Sequence, residues 1–227
     1  MTFKEIKIKF KTAFKEVLQG DYLVEMDEAV LPAYAHKNPL IDFLFWERLL
    51  TCYRLMKNDS NAKVLDFGCG SGVFSYMLAH NGFEVTANDL NLRPQRLIDN
   101  IIKFPDGIKF IEGDILRNRL ENSSFDYIIA LDSLEHIVDI TEYIQLFKRL
   151  LKQDGIIIVS GPTENIFYRI GRKFAGNNFS GEFHVSDIKT IKRHFSYSFK
   201  INASKKLFYP FVLFEVFTAE HGQTSVN

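Results

Sequence analysis

The stretch Val64-Leu65-Asp66-Phe67-Gly68-Cys69-Gly70-Ser71-Gly72 decides how the rest of the chain is read. Its first four residues have the apolar, β-forming character of a short strand. Three glycines then follow at every second position. Glycine enters left-handed backbone regions without a Cβ collision, so this spacing allows a tight turn and close approach of a ligand to the main chain. Residues 73–81 carry a helical pattern that stops at Gly82. The local reading is strand, glycine turn, helix, and the helix start offers N–H groups with no intrahelical partner.

The same alternation continues outward. Residues 84–88 read as a second strand. A helix starts at Pro94 and ends near Lys103, and Pro105-Asp106-Gly107 forms a turn. Residues 108–111 are a third strand. Residues 125–131 are a fourth, continuously apolar and so expected to be buried on both faces. Residues 140–152 read as helix, and Gly155 opens a fifth strand at 156–160. Strands alternating with helices imply right-handed βαβ units and a parallel sheet. After Pro162 the pattern changes to a Gly/Asn-rich loop at 163–185, a helix at 186–194 capped by Ser186 or Asp187, and alternating segments at 197–203 and 211–220 that suit an antiparallel hairpin. At the other end, Phe3, Ile6, Phe10, Phe14 and Val17 recur at helical spacing, and residues 40–56 predict another helix.

The expected fold is α/β. It has one doubly wound, mostly parallel, Rossmann-like sheet of seven strands with a terminal antiparallel hairpin, plus an N-terminal helical cap. Residues 1–58 are the cap. Residues 59–227 are the core, with an acceptor or lid insertion at about 162–185.

Composition narrows the function. Lys plus Arg and Asp plus Glu number 28 each, which argues against a nucleic-acid partner because phosphate contacts favour a basic excess. No uninterrupted apolar run is long enough to span a bilayer, and lysines break the N-terminal segment where a secretory signal would be apolar. Cys52 and Cys69 form no close-spaced metal or redox pair, so a reduced, cytoplasmic setting is expected.

Ligand-type residues fall at successive strand ends. Asp89 closes the second strand, where a carboxylate can accept from ribose hydroxyls. Asp114 follows the third strand and can accept from an adenine amino group. Asp132 follows the fourth, and Gly161-Pro162 follows the fifth. In open α/β sheets, ligands bind at these carboxyl ends.

With these residues the chain resembles the class I S-adenosylmethionine (SAM)-dependent methyltransferases of small-molecule type. The resemblance covers residues 62–160 well. It rests on Val64 to Gly72, on Asp89 and Asp114, and on the stretch from Phe125 to Ile137. It implies SAM as cofactor and S-adenosylhomocysteine (SAH) as product. Gly68, Gly70 and Gly72 wrap the methionine part, with Cys69 in the same loop. Asp66 holds the loop or the amino group. Asp89 and its neighbour Leu90 take the ribose side, Asp114 and Ile115 the adenine, and Leu131 lines the pocket. A dinucleotide dehydrogenase would place its third glycine at position 73, where this chain has Val73. A nucleotide-cofactor oxidoreductase and a SAM-binding partner subunit without chemistry are the competing readings.

Methyl transfer from a sulfonium mainly needs alignment of the nucleophile and exclusion of water. A base is required only when the acceptor loses a proton. His136 is the candidate base, since an imidazole with a pKa of about 6.5 suits neutral pH, and His184 is a second candidate from the late loop. His136 equally reads as a residue that holds the local turn, and for His184 packing within its loop is the first reading. A divalent metal held by Asp132, Glu135, His136 and His184 is the lesser alternative to no metal. A similar acidic-x-x-Glu-His pattern occurs in metal-dependent members of the superfamily, but the first position here is Asp where Glu is expected.

Two segments join apolar and basic residues: the N-terminal helix, and residues 166–174 after the fifth strand. For the first, packing of the apolar stripe onto the domain is expected. For the second, the expectation is a substrate lid, with peripheral membrane docking as the second choice. The acceptor is thus read as a small molecule, apolar or amphiphilic, methylated at oxygen. Nitrogen and carbon remain open, and the oligomeric state is not indicated.

Overall fold

A computed structural model describes residues 1–19, 34, 38–57, 60–169 and 185–222. The elements are α1 (Phe3–Gln19), α2 (Pro39–Arg54), β1 (Lys63–Phe67), α3 (Val73–His80), β2 (Glu84–Asp89), α4 (Arg93–Ile102), β3 (Ile108–Glu112), β4 (Phe125–Leu131), α5 (Thr141–Leu150), β5 (Leu151–Pro162), α6 (Ile188–Ser196), β6 (Lys200–Leu207) and β7 (Phe214–Glu220), with short 3-10 turns at Ile115–Arg117 and Leu134–His136. The seven strands form one sheet in the order β3-β2-β1-β4-β5-β7-β6. Pairing of β7 with β5 and β6 is antiparallel, while β1 with β4, β2 with β3 and β4 with β5 are parallel. The expected α/β sheet with its terminal hairpin is therefore present.

Contacts divide the chain into two compact units. One is Met1–Asn61 with Gly68–Ile115, and the other is Ala62–Phe67 with Leu116–Asn227. In the first unit, α1 buries Ile6, Phe10, Ala13, Phe14 and Val17, each larger side chain gaining roughly 2 kcal/mol of transfer free energy before entropy is counted. Phe10 is the hub: its ring centroid lies 5.6 Å from Phe14, 5.1 Å from Tyr76 and 6.0 Å from Phe104. Three lysines of α1 are engaged as well as wet. Lys7 and Lys11 pair with Asp42 at 2.8 Å each, and the Lys9 ammonium donates to the Tyr76 hydroxyl at 2.8 Å. Both Lys partners hold the Asp42 carboxyl below its ordinary pKa, outweighing the burial that pushes it up. Asn38 caps α2 by accepting from the Leu40 N–H, with Pro39 in the first turn.

In the second unit, β4 is buried at Phe125 and from Tyr127 to Ala130, while Asp126 and Leu131 are half-buried. Phe67 packs on Phe147 of α5 at 5.2 Å, and Phe195 of α6 packs on Phe217 of β7 at 5.5 Å. The α6 cap resolves to Asp187, which accepts from the Thr190 N–H at 2.9 Å. Several boundaries differ from the sequence reading, β7 among them, which begins at Phe214. Helix α5 ends at Leu150 and β5 begins at once with Leu151, because Leu151 pairs with Phe125 and is buried. Gly155 follows from this: a Cβ there would lie 2.8 Å from Leu151 Cδ1. The hairpin also starts later. Residues 197–199 close α6, the N–H groups of Ser198 and Phe199 both donating to the Phe195 carbonyl, and β6 runs from Lys200 to Leu207. Among the described residues no helix is long and apolar enough to cross a membrane.

Candidate functional site

The glycine loop leaves β1 with all three glycines in the left-handed region, at φ 70° for Gly68, 53° for Gly70 and 76° for Gly72. Its backbone hangs from the end of β2. The N–H groups of Gly68 and Cys69 donate to the Asn88 carbonyl at 2.8 and 3.0 Å. The Gly70 N–H donates to Asp89 Oδ2 at 2.8 Å, and the Asn91 N–H to Asp89 Oδ1 at 3.1 Å. Two backbone donors thus fix the plane of the Asp89 carboxylate. Each oxygen retains lone-pair capacity for a hydroxyl donor.

The glycines differ in what surrounds them. A Cβ on Gly70 would meet nothing within 4 Å, so that point of the loop faces open space. A Cβ on Gly72, the residue that caps α3, would lie 2.6 Å from Phe104 Cε2 and 3.3 Å from Gln95 Cγ. Gly72 is therefore required by packing, and Gly70 leaves room for a ligand. Leu90, directly after Asp89, is 73% exposed, an apolar surface beside a fixed carboxylate. Asp114 is half-buried and Ile115 buried in the turn after β3. That turn is tied to β2 by Asn88, whose buried amide donates to the carbonyls of Ile111 and Gly113 at 2.9 Å each. Arg96 and the Leu92 N–H both donate to Glu112 and hold its carboxyl below the ordinary range, joining the end of β3 to the start of α4.

In the second unit, Asp66 is buried within β1, and Leu131 ends β4 half-buried. Asp132 takes a left-handed backbone, φ 51°. Its N–H donates to the Ser160 carbonyl at 3.0 Å, and the Ser160 hydroxyl donates to Asp132 Oδ1 at 3.1 Å. The Ser133 hydroxyl donates to the Phe67 carbonyl at 3.2 Å. In the 3-10 turn that follows, Glu135 is buried and His136 exposed. Neighbouring residues of such a turn project about 120° apart, so one goes inward and the next outward. The Val185 N–H donates to the Glu135 carbonyl at 2.8 Å. Among the described residues no group of three or more His, Cys, Asp or Glu gathers as a metal site. Within that set Asp132, Glu135 and His136 therefore do not converge. His184 and residues 170–184 of the expected lid lie outside the described residues.

Three contributing residues were not singled out in the sequence: Asn88, Phe104 and Ser160. Asn88 carries a faint signal, a polar residue at an inward position of β2. Phe104 and Ser160 carry none, since their roles depend on partners far away in the chain.

The family model described as a methyltransferase domain matches residues 40–197. A ubiquinone biosynthesis O-methyltransferase of Haemophilus ducreyi is 35% identical over 104 residues, which is 43% of this chain and 44% of that protein. The chain therefore spans less than half the length of this curated relative. In fold it is similar to the N-methyltransferase NodS of Bradyrhizobium japonicum in complex with SAH, with a TM-score of 0.64 at 16% identity over 95% of this chain and 100% of that one. A protein of Pyrococcus horikoshii has a TM-score of 0.64 at 21% identity over 84% of this chain and 96% of that one.

Proposed function

The chain belongs to the methyltransferase-domain family, and from that premise we propose that it is a SAM-dependent methyltransferase acting on a small-molecule acceptor at oxygen. The observation that carries this reading is the joint geometry of Gly70 and Asp89: a left-handed glycine facing open space, its N–H on a carboxylate held by two backbone donors.

The residues fit the cofactor. Gly68, Cys69, Gly70 and Gly72 hold the methionine part against the main chain, with Asp66 steadying the loop or the amino group. Asp89 would accept from the ribose hydroxyls, with the exposed Leu90 beside it. Asp114 and Ile115 take the adenine, and Leu131 is a further residue that the family resemblance assigns to the cofactor. When bound, SAM supplies an electrophilic methyl group on a sulfonium, which needs no proton at the leaving sulfur. What the chain must still provide is acceptor alignment, exclusion of water and a route for the acceptor's proton. His136, exposed beyond β4, is the base in this reading, and His184 is the alternate. Oxygen is favoured because such a base is needed for a hydroxyl.

The Haemophilus ducreyi relative, by its name an O-methyltransferase, supports the same atom. Ile166 and Phe167, both exposed after β5, support an apolar or amphiphilic acceptor, Phe167 resting on Phe211 at 5.1 Å.

The test is calorimetry with SAM and SAH on the native chain and on Asp89→Ala. Saturable binding that weakens by about 10- to 100-fold in the variant supports the reading, the loss expected for hydrogen bonds to a charged group. A folded protein that binds neither compound rejects it. Tight binding with no turnover on any acceptor class favours a non-catalytic partner role.

A further inference from the structure

Two helices of the first unit share an outward surface that serves neither the core nor the candidate cofactor site. In α1, Lys4, Lys7, Lys11 and Lys15 recur every three or four residues and so form one stripe. It lies away from the buried Ile6, Phe10, Ala13 and Val17. Within the stripe stands Ile8, 58% exposed. The Lys7 and Lys11 ammoniums both reach Asp42 of α2 at 2.8 Å, and Phe3 packs on Trp46 at 5.9 Å, so the stripe runs beside α2. On α2, Leu40 and Phe43 stand just before and just after Asp42 and are 62% and 52% exposed. Single exposed apolar residues are ordinary, whereas apolar residues gathered inside a polar rim mark an interaction surface.

The charge here is local. Cations and anions balance at 28 each over the whole chain, yet the stripe sets four ammoniums against the one carboxylate of Asp42. Glu5 and Glu16 stand on the other flank of α1 with Lys9, whose ammonium donates to the Tyr76 hydroxyl.

We propose that the outward face of α1 and α2 docks on an anionic lipid surface. The lysines meet headgroup phosphates, and Ile8, Leu40 and Phe43 enter the interface between them. This docking does not rest on the methyltransferase reading. A helix lying in a bilayer interface presents basic and apolar side chains together. A nucleic acid would engage the lysines and leave the three apolar side chains in water. The buried stripe of α1 stays in the core, so the contact is shallow and needs no unfolding of the helix. Each lysine near an anionic surface strengthens binding about fivefold, and salt screens the attraction.

The test sediments the full chain with vesicles of phosphatidylcholine alone, and with vesicles of phosphatidylcholine and phosphatidylglycerol in equal parts. Each is run at about 0.1 M and about 1 M NaCl, where the Debye length is about 10 and 3 Å. The variants are Lys4→Gln/Lys15→Gln, Ile8→Ser and Leu40→Ser, all at exposed positions, each followed by thermal unfolding.

The expected result is binding to the mixed vesicles at low salt, at least about tenfold weaker at high salt or on phosphatidylcholine alone. The double glutamine variant binds about 25-fold more weakly, at about fivefold per lysine. Ile8→Ser and Leu40→Ser each bind about fivefold more weakly, and Tm stays at the native value in all three. No sedimentation with the mixed vesicles overturns the proposal, as does equal binding to both vesicle types. Native binding in every variant places the contact elsewhere and also overturns it. So does a loss of binding that comes only with a loss of Tm. A loss confined to the double glutamine variant, in a chain that also binds polyuridylate, makes the face a general polyanion site and overturns the lipid assignment.

Discussion

The strand ends of the two units are held by opposite means. In the first, glycines make left-handed turns at little cost, and a carboxylate steadies them: Asp89 accepts from the Gly70 N–H. In the second, the left-handed residue is itself the carboxylate, Asp132, and a serine hydroxyl steadies it. The first arrangement frees the main chain for a ligand, while the second spends stability to fix one side chain. A cofactor recognised through backbone and hydroxyls suits the first.

The comparison can be broken most sharply at the glycines. Gly72→Ala combines left-handed strain with a collision against Phe104, whose ring is already packed by Phe10, Tyr76 and Phe110. A loss of about 2–4 kcal/mol is expected, read as a Tm drop of roughly 5–15 °C. Gly70→Ala meets no neighbour. It should cost only about 1–2 kcal/mol of strain while abolishing SAH binding by calorimetry, since its methyl enters the space left for the ligand. Equal stability losses with binding intact in Gly70→Ala would mean that the open space is not a binding surface.

A smaller effect lies in the second unit and is read by acid. Burial pushes the Glu215 carboxyl up, but hydrogen bonds from Lys192 and Ser204 and the Lys192 and Lys206 charges outweigh it, and the pKa is lowered. A lowered acid contributes stability above its unfolded pKa of about 4.3 and loses it as pH falls through the folded value. Glu215→Gln should therefore flatten the fall of Tm as pH drops below about 4.3, at a cost near neutrality of about 1–2 kcal/mol. A Tm profile as steep as that of the native chain would refute it. The least effect is expected from Tyr76→Phe, which removes the Lys9 hydrogen bond but keeps the ring. About 0.5–1 kcal/mol should be lost by chemical denaturation, with SAH affinity unchanged.

Much of this was legible in the linear chain because it depends on local rules. Glycine spacing and the strand and helix periods of residues 63–162 follow from backbone sterics and side-chain alternation, which neighbours in sequence express directly, and the aspartates at the ends of the second, third and fourth strands stand in the chain itself. The N-terminal stripe was legible for the same reason, and its packing follows the sequence reading. The boundary at Leu151 was not, because a residue that could continue a helix is claimed by pairing with Phe125, 26 positions earlier. Nor could the three glycines be told apart: Gly70 and Gly72 look alike until Phe104 stands behind one and nothing behind the other. The strain at Asp132, its debt to Ser160 and the outward turn of His136 beside an inward Glu135 were likewise invisible. The sequence by itself determined the order of elements and the residue types at the strand ends, since those are short-range properties. Only the tertiary structure decided which of those residues are fixed, which are buried and which face open space, because these are set by partners that folding brings from far along the chain.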